Sequence, residues 1–533
     1  MSRGRLIYLL VVVALLGGMA FAMVTTAVQQ SPTIDEPVYV GTAEVLTQQH
    51  SLRYNPEHPP LGKLVMAAGL AFEKPYLDPA FTGNQTNLGR HVLYETGNNP
   101  YRLMLAARLP MIVLTLLFGL VVLGFARDLA GPWAGLVALA LYAFSPDVIA
   151  HGSLATLDVP AAGLLLTTFW MMWRSRTRPR LYLPLAGVAL GAALATRMSS
   201  LPAVPLVLLL TLLSPFVVGR PGAWWKRMAW RVVAAIAVGL IATAVVWLVY
   251  LAVDPRLRWT TPALASNPGG LKGMAVDLLP LPKAYRDGVL IQFRFESRTF
   301  NGFLFGKAYR GSLWYYAPAA LLIKTPLGMI ALWLAGTITM LVKPALRVAT
   351  LYLLVPAGLL MLVAMTGSRD YGSRYVIFMP VFLAVVAGTV VAIRFRWAHA
   401  VAAVLVAFVA VSSVRTFPFY LPYSNEAFGG TSHTHLNLHD SNVDWGQDLP
   451  RLSGRLRERY PGEPVWLVYK GSGVPAYYGI SARNPLAVPN DQVRGLLVVS
   501  DSRVALAKGK LKQLIDSSRP IDEVGYSITI YRR

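Results

Sequence analysis

The chain has no cysteine in 533 residues, and it is short of acids, with 26 Asp and Glu against 49 Lys and Arg. Without thiols there is no disulfide framework, no thiolate metal site and no cysteine nucleophile. Charge of either sign makes up only 14% of the residues, where a soluble domain carries about 25%. Also missing are a phosphate-binding P-loop, a Gly-rich dinucleotide fingerprint, a repeat of fixed period and a low-complexity linker. What is present is apolar: 55% of the residues are hydrophobic, which excludes a disordered or fibrous chain and points to a polytopic membrane protein. The net charge of +23 would suggest nucleic acid in a soluble protein. Here it is expected from basic cytoplasmic loops and from neighbouring anionic lipid or phosphate, with no nucleic-acid partner.

A membrane helix needs about 20 apolar residues. Eleven stretches qualify as candidates: 6–26, 104–126, 133–150, 158–173, 181–195, 201–219, 232–253, 316–341, 348–365, 375–393 and 398–415. The first begins after Arg3 and Arg5 and resembles a signal peptide at Ala20-Phe21-Ala22, but it is long enough to span and is expected to stay as a helix. With the N-terminus inside and the helices alternating, the short cytoplasmic segments carry fifteen Lys and Arg and one acid, Asp128. That is the positive-inside pattern, and it puts the C-terminus outside. The expected organisation is therefore a transmembrane catalytic domain over 1–416, with extracytoplasmic loops at 27–103 and 254–315, and an extracytoplasmic α/β domain over 417–533. Within the first loop, Leu61 to Phe72 is too short to cross and is expected at the interface. In the tail, Val465–Tyr469, Gly495–Ser500 and Tyr526–Tyr531 read as strands, and 504–517 as a helix.

Ionisable groups inside or against a membrane are costly, so their positions carry information. Asp35-Glu36 follows the first helix, and Glu57-His58-Pro59-Pro60-Leu61-Gly62-Lys63 opens the interfacial stretch. Together they offer a general base and cationic groups in one place. Asp158 opens the fourth helix, where a plain helix-start acid is the competing reading. Lys324 sits inside an apolar run and needs an anionic partner. Arg197 could as well snorkel to the interface, and Arg374 could pair with Asp370. The tail motif Asp440-Ser-Asn-Val-Asp-Trp-Gly-Gln-Asp448 is rich in groups that bind sugars; a lid or acceptor-side segment and a packing hinge are both open. His433, His435 and His439 precede Asp440, but their spacing is not that of a zinc site.

The pair Asp35-Glu36 followed by His58-Pro-Pro-Leu-Gly-Lys63 resembles the first loop of glycosyltransferase family 39, the protein O-mannosyltransferases. That family belongs to the membrane-embedded C-type glycosyltransferase superfamily, as does the lipid A aminoarabinose transferase. Arg102, Arg108, Asp158, Trp314-Tyr315-Tyr316 and Lys324-Thr-Pro326 extend the resemblance. Tyr423-Ser-Asn-Glu-Ala-Phe-Gly-Gly430 and the Asp440 motif are similar to bacterial phospholipid-carrier-dependent glycosyltransferases, so that residues 1–450 are covered in order. The tail has nothing like the mannosyltransferases' lumenal β-trefoil.

The resemblance implies a C-type fold and an inverting transfer of sugar from a polyprenyl-phosphate donor to an acceptor hydroxyl of protein, glycan or lipid. The reaction would take place on the extracytoplasmic face of a plasma membrane. A phosphate leaves without needing a proton, so the protein must supply a carboxylate for the acceptor and fixed positive charge for the phosphate. Asp35 is the expected base with Glu36 beside it. His58, Lys63, Arg108, Asp158, Arg197, Lys324 and Arg374 are the expected donor-site residues, and Asp440, Asn442, Asp444, Trp445 and Gln447 the acceptor-side ones. No cofactor is required, although a divalent metal is compatible with the chemistry. Two other classes also need buried cations: a transporter or flippase of a lipid-linked or anionic solute, and a non-catalytic envelope scaffold that binds lipid-linked sugar. Transporters are commonly built from repeats with sites at mid-bilayer, whereas the polar groups here gather towards one face.

Overall fold

All eleven apolar stretches carry helix in the computed structural model, which describes residues 2–213 and 224–533; the end of the expected span 201–219, and Arg220 after it, lie outside them. Among the described residues, five helices are long and apolar enough to cross a bilayer by themselves: Arg3–Gln29, Pro100–Ala130, Pro179–Thr196, Met228–Val253 and Ala398–Thr416. Two bent pairs raise the number to seven, against the eleven expected. Pro132–Ala143 and Pro146–Gly152 meet at 63°, and Tyr316–Lys324 and Leu327–Val342 at 116°. Each second helix has a proline at its boundary, Pro146 and Pro326, which lacks an N–H to continue the preceding ladder. Thr350–Ala364 and Phe378–Ala392 are apolar but short, and at about 1.5 Å per residue they fall below the hydrocarbon thickness of roughly 30 Å.

The first loop is largely helical, with Glu36–Gln48, Leu61–Leu70 and Gln85–Tyr94. A Cβ on Gly62 would lie 2.3 Å from Leu157 Cδ2, so the helix after the Pro-Pro pair packs directly on the turn that precedes Asp158. The second loop adds Gly270–Asp277, Lys283–Glu296 and a hairpin of β1 (Asn301–Leu304) with β2 (Lys307–Arg310).

The tail builds a four-stranded sheet from β3 (Val465–Val468), β4 (Leu496–Ser500), β5 (Arg519–Val524) and β6 (Ile528–Arg532), ordered β3-β4-β6-β5. β3 and β4 run parallel and the other pairs antiparallel. β4 is buried along its whole length. Leu496 and Val498 pack with Leu449, Leu452 and Leu456 of the helix Leu449–Arg459, while Leu497 and Val499 pack with Leu511 and Leu514 of Gly509–Asp516. This alternation explains why β4 is apolar from Leu496 to Val499. β5 has no counterpart in the sequence reading, because Arg519-Pro-Ile-Asp-Glu523 is mostly exposed and polar.

The tail is laid against the first loop by main-chain contacts. Ser31 N–H donates to Gln447 O at 2.9 Å and Ile34 N–H to Trp445 O at 3.0 Å, while Ser31 Oγ donates to Gly446 O at 2.8 Å. The Asp440 motif thereby comes within reach of Asp35.

Candidate functional site

Asp35 precedes the helix Glu36–Gln48 without capping it. Its carboxylate turns instead into a cavity of about 1080 Å³ lined by the first loop, the Arg197 turn, the second loop, the Gly367–Tyr375 loop and the tail. Arg374 Nη1 donates to Asp35 Oδ2 at 2.6 Å. Oδ1 makes no protein hydrogen bond, and the Asp35 side chain keeps 28% of its surface exposed. The Arg374 guanidinium lies 4.3 Å from the Trp445 ring and 5.0 Å from that of Tyr375. It is thus held between two aromatic faces and one carboxylate, and Asp370, its alternative partner, instead accepts from Tyr309 Oη at 2.7 Å and Leu313 N–H at 2.8 Å. Gly372 is where this loop meets the tail: a Cβ there would lie 2.1 Å from Ser441 Oγ.

Glu36 goes the other way. It is fully buried, and it accepts from Arg108 Nε and Nη2, both at 2.7 Å, from Thr33 N–H and Oγ1, and from Ala155 N–H at 2.8 Å. Burial pushes its carboxyl up, but the Arg108 guanidinium and the two backbone donors outweigh this and hold it below the usual carboxylate range. Arg108 spends its other donors on Ala27 O, Gln30 O and Ser31 O. Neither residue lines the cavity. The adjacent acids therefore divide into one open to the cavity and one closed in protein, because one residue advances the chain by about 100° at a helix start.

The other candidates divide in the same way. His58, Asp158, Arg197, Arg374, Asp440 and Trp445 line the cavity with Asp35. Asp158 pairs with Arg197 and Asp440 with Lys470; Asp158 stands in the first turn of its helix, whose N-cap is Leu157. His58 is half-buried, and its buried Nδ1 is unpartnered. Lys63, Lys324, Asn442, Asp444 and Gln447 are buried outside the cavity. Lys63 Nζ donates to Asn55 O and Oδ1 and to His58 O, so it ties together the loop that presents His58. Asn442 accepts from Ser373 N–H and donates to Tyr316 Oη and His439 O. Gln447 accepts from Trp445 N–H and Asp444 from Gly446 N–H, which fixes the turn that carries Trp445. His433, His435 and His439 do not gather around Asp440; among the described residues, His435 instead meets Asp501 and Glu523.

The anionic partner that Lys324 needs is Asp147, at 3.3 Å, and its ammonium also donates to Leu421 O at 2.5 Å and Asn442 O at 3.1 Å. Lys324→Met is expected to lower stability by about 3 kcal/mol, since it strands a buried carboxylate, and to leave donor affinity within a factor of about two. Melting of the purified protein beside a donor-binding titration tests this. A large loss of donor affinity at unchanged melting would put Lys324 back at the phosphate.

Sequence reasoning missed Arg369, Tyr39 and Tyr375 in the cavity wall, while Glu57, from the Glu57–Lys63 stretch, lies there as well. Arg369 donates to Glu296 Oε1 at 2.8 Å and Gln292 Oε1 at 3.0 Å, while its buried Nε has no partner. The available signal was its place in Gly367-Ser-Arg369-Asp370, in the same short loop as Arg374. The cavity wall also carries apolar side chains, among them Leu165, Leu201, Val289, Leu360, Val363 and Phe378. One cavity therefore joins six carboxylate residues, three guanidiniums and these apolar side chains.

Residues 19–257 match the family described as dolichyl-phosphate-mannose-protein mannosyltransferase. Over almost all of its length the chain has the fold of the Cupriavidus metallidurans ArnT crystal structure in the apo state, with 14% identity, a TM-score of 0.50, and 99% of this chain and 98% of that one covered. It is also similar to the S. cerevisiae protein O-mannosyltransferase Pmt1-Pmt2 complex bound to the sugar donor, with 17% identity, a TM-score of 0.36, and 47% of this chain and 33% of that one covered. Similarity extends to the Archaeoglobus fulgidus oligosaccharyltransferase AglB in complex with an inhibitory peptide and a dolichol-phosphate, with 11% identity, a TM-score of 0.46, and 98% and 73% covered. No curated protein matches the chain. The chain is a multi-span membrane protein of the C-type glycosyltransferase fold, and it resembles glycosyltransferase family 39.

Proposed function

We propose that the chain is an inverting glycosyltransferase that moves a sugar from a polyprenyl-phosphate donor to an acceptor hydroxyl, at the extracytoplasmic face of a plasma membrane. The observation that carries this reading is the shared cavity, whose wall combines the Asp35 carboxylate, a set of guanidiniums and apolar side chains. The prenyl chain would lie along Leu165, Leu360 and Val363. The phosphate would be bound by the guanidiniums of Arg369 and Arg197, which line the cavity beside Arg374. Asp35 Oδ1 would accept the proton of the acceptor hydroxyl and face the positive charge that develops at the anomeric carbon. Arg374 would orient Asp35 through Oδ2 while Trp445 stacks on the Arg374 guanidinium, so the tail motif contributes to the site by positioning. Lys63, Lys324, Glu36 and Arg108 would act as structural supports for the residues that touch substrate.

The reading is tested with purified protein in nanodiscs and a panel of radiolabelled polyprenyl-phosphate sugars, with release of sugar from the lipid scored for wild type and Arg369→Gln. Wild type is expected to consume at least one donor. The variant is expected to bind that donor about 10- to 100-fold more weakly, because it removes a charge-assisted hydrogen bond of about 1.5–3 kcal/mol. Passage of intact lipid-linked sugar across a sealed membrane without cleavage would replace this reading with that of a flippase.

A further inference from the structure

Away from the cavity, three side chains from separate segments point at one spot. His435 lies in the short helix Thr434–Asn437, Asp501 follows β4, and Glu523 is on β5. One potential ligand atom from each lies within 4.8 Å of the other two. His435 Nδ1, Asp501 Oδ2 and Glu523 Oε1 are all buried atoms without a hydrogen-bond partner. Asp501 is only 3% exposed, and an uncompensated carboxylate at such a depth is costly. Its other oxygen accepts from Thr529 Oγ1 at 2.6 Å, the kind of outer hydrogen bond that fixes a ligating carboxylate.

We propose that His435, Asp501 and Glu523 bind one divalent transition-metal ion of the zinc type, which clamps the tail segment leading into Asp440–Trp445 to the sheet. Two carboxylates and a neutral imidazole carry a charge of −2, which a divalent cation balances. An imidazole in the set favours zinc-like ions over calcium or magnesium, which take oxygen. His435 Nδ1 and Glu523 Oε1 stand 3.9 Å apart, and tetrahedral zinc would draw them to about 3.3 Å. His435 and Glu523 each keep about a third of their side-chain surface open, which leaves a path for the ion. Beside the site, Asp440 N–H donates to Ser502 Oγ at 2.8 Å, and Ser502 Oγ donates to Asp444 O at 2.9 Å. Metal bound at Asp501 would therefore hold both ends of the segment that carries two cavity-wall residues, Asp440 and Trp445. The proposal does not rest on the identity of the donor.

The test uses untagged full-length protein in detergent, stripped with a chelator and titrated with Zn²⁺, with Mg²⁺ as a control and bound metal counted by mass spectrometry. Wild type is expected to take up one Zn²⁺ per chain and to melt higher with it. Glu523→Gln and His435→Gln each remove one of three ligands and should weaken Zn²⁺ by about 100-fold, at least the loss seen for outer-shell partners. Without metal, Glu523→Gln should melt no lower than stripped wild type, since it removes a charge that repels the neighbouring Asp501 carboxylate; a merely structural ion pair with His435 would predict the opposite order. Thr529→Val should weaken Zn²⁺ about 10-fold, and it supplies the test if the ligand variants do not fold. Uptake below one tenth of an equivalent, uptake unchanged in the variants, or an equal response to Mg²⁺ would each overturn the proposal.

Discussion

Asp35→Asn is expected to reduce sugar transfer by about 100- to 10,000-fold, the range in which a positioned general base contributes, while donor binding is retained. The two halves of this expectation have separate causes. Asp35 lines the cavity, and Arg374 engages its Oδ2, which leaves Oδ1 for the acceptor. An amide in its place keeps the shape but can neither take a proton from the acceptor nor offset positive charge at the anomeric carbon. Donor binding depends on the cations, and loss of the Asp35 charge frees Arg374 from its partner. Affinity for the phosphate should therefore hold or rise. Single-turnover transfer with saturating donor, beside a binding titration, separates the two effects. Transfer within a factor of about ten of wild type would remove Asp35 from the chemistry, and a parallel collapse of donor binding would recast it as an organiser of Arg374.

How far the sequence could lead depended on whether a residue's role was set by its neighbours in the chain or by partners far away. The apolar runs carry their helices because about 20 apolar residues have few other low-cost conformations in lipid. The breaks at Pro146 and Pro326 are visible as prolines, but the 63° and 116° turns follow from how the halves pack. In the tail, Leu496–Ser500 announces itself by its apolar side chains, while polar β5 is recruited only by pairing with β6. In the site, Asp35 and Glu36 are indistinguishable as letters; which one faces the cavity is decided by Arg108, from a different helix. Lys324 needed an anion, yet nothing in Leu-Leu-Ile-Lys-Thr-Pro says that the anion is Asp147 rather than a phosphate. Arg374 and Asp370 sit in one short loop and looked like a pair, until the hairpin of β1 and β2 claimed Asp370 through Tyr309. Ion pairing between distant segments is what sequence spacing does not encode.

Arg108→Met should lower stability by about 5 kcal/mol, the upper end for breaking a buried ion pair. Both partners are sealed, with side-chain exposures of 1% for Arg108 and 0% for Glu36. Without the guanidinium, Glu36 keeps its bonds from Thr33 and Ala155 but carries an uncompensated charge, and Ala27 O, Gln30 O and Ser31 O lose their donors as well. These carbonyls close the first membrane helix and lead into the strip that hydrogen-bonds to Gly446 and Gln447, so the loss should loosen the tail along with the loop. Arg108→Lys keeps the charge but not the two-pronged contact or the reach to three carbonyls, and it should fall between wild type and Arg108→Met. Adding Glu36→Leu to Arg108→Met should restore part of the stability, because the stranded charge is gone. The measurements are melting of the purified protein and donor affinity under conditions where each variant is folded. A structural pair predicts large shifts in melting and, in the folded fraction, donor affinity near wild type. A phosphate ligand predicts the reverse, with Arg108→Met melting like wild type and binding donor at least tenfold more weakly, and that outcome would return Arg108 to the cavity chemistry from which its contacts with Glu36 separate it.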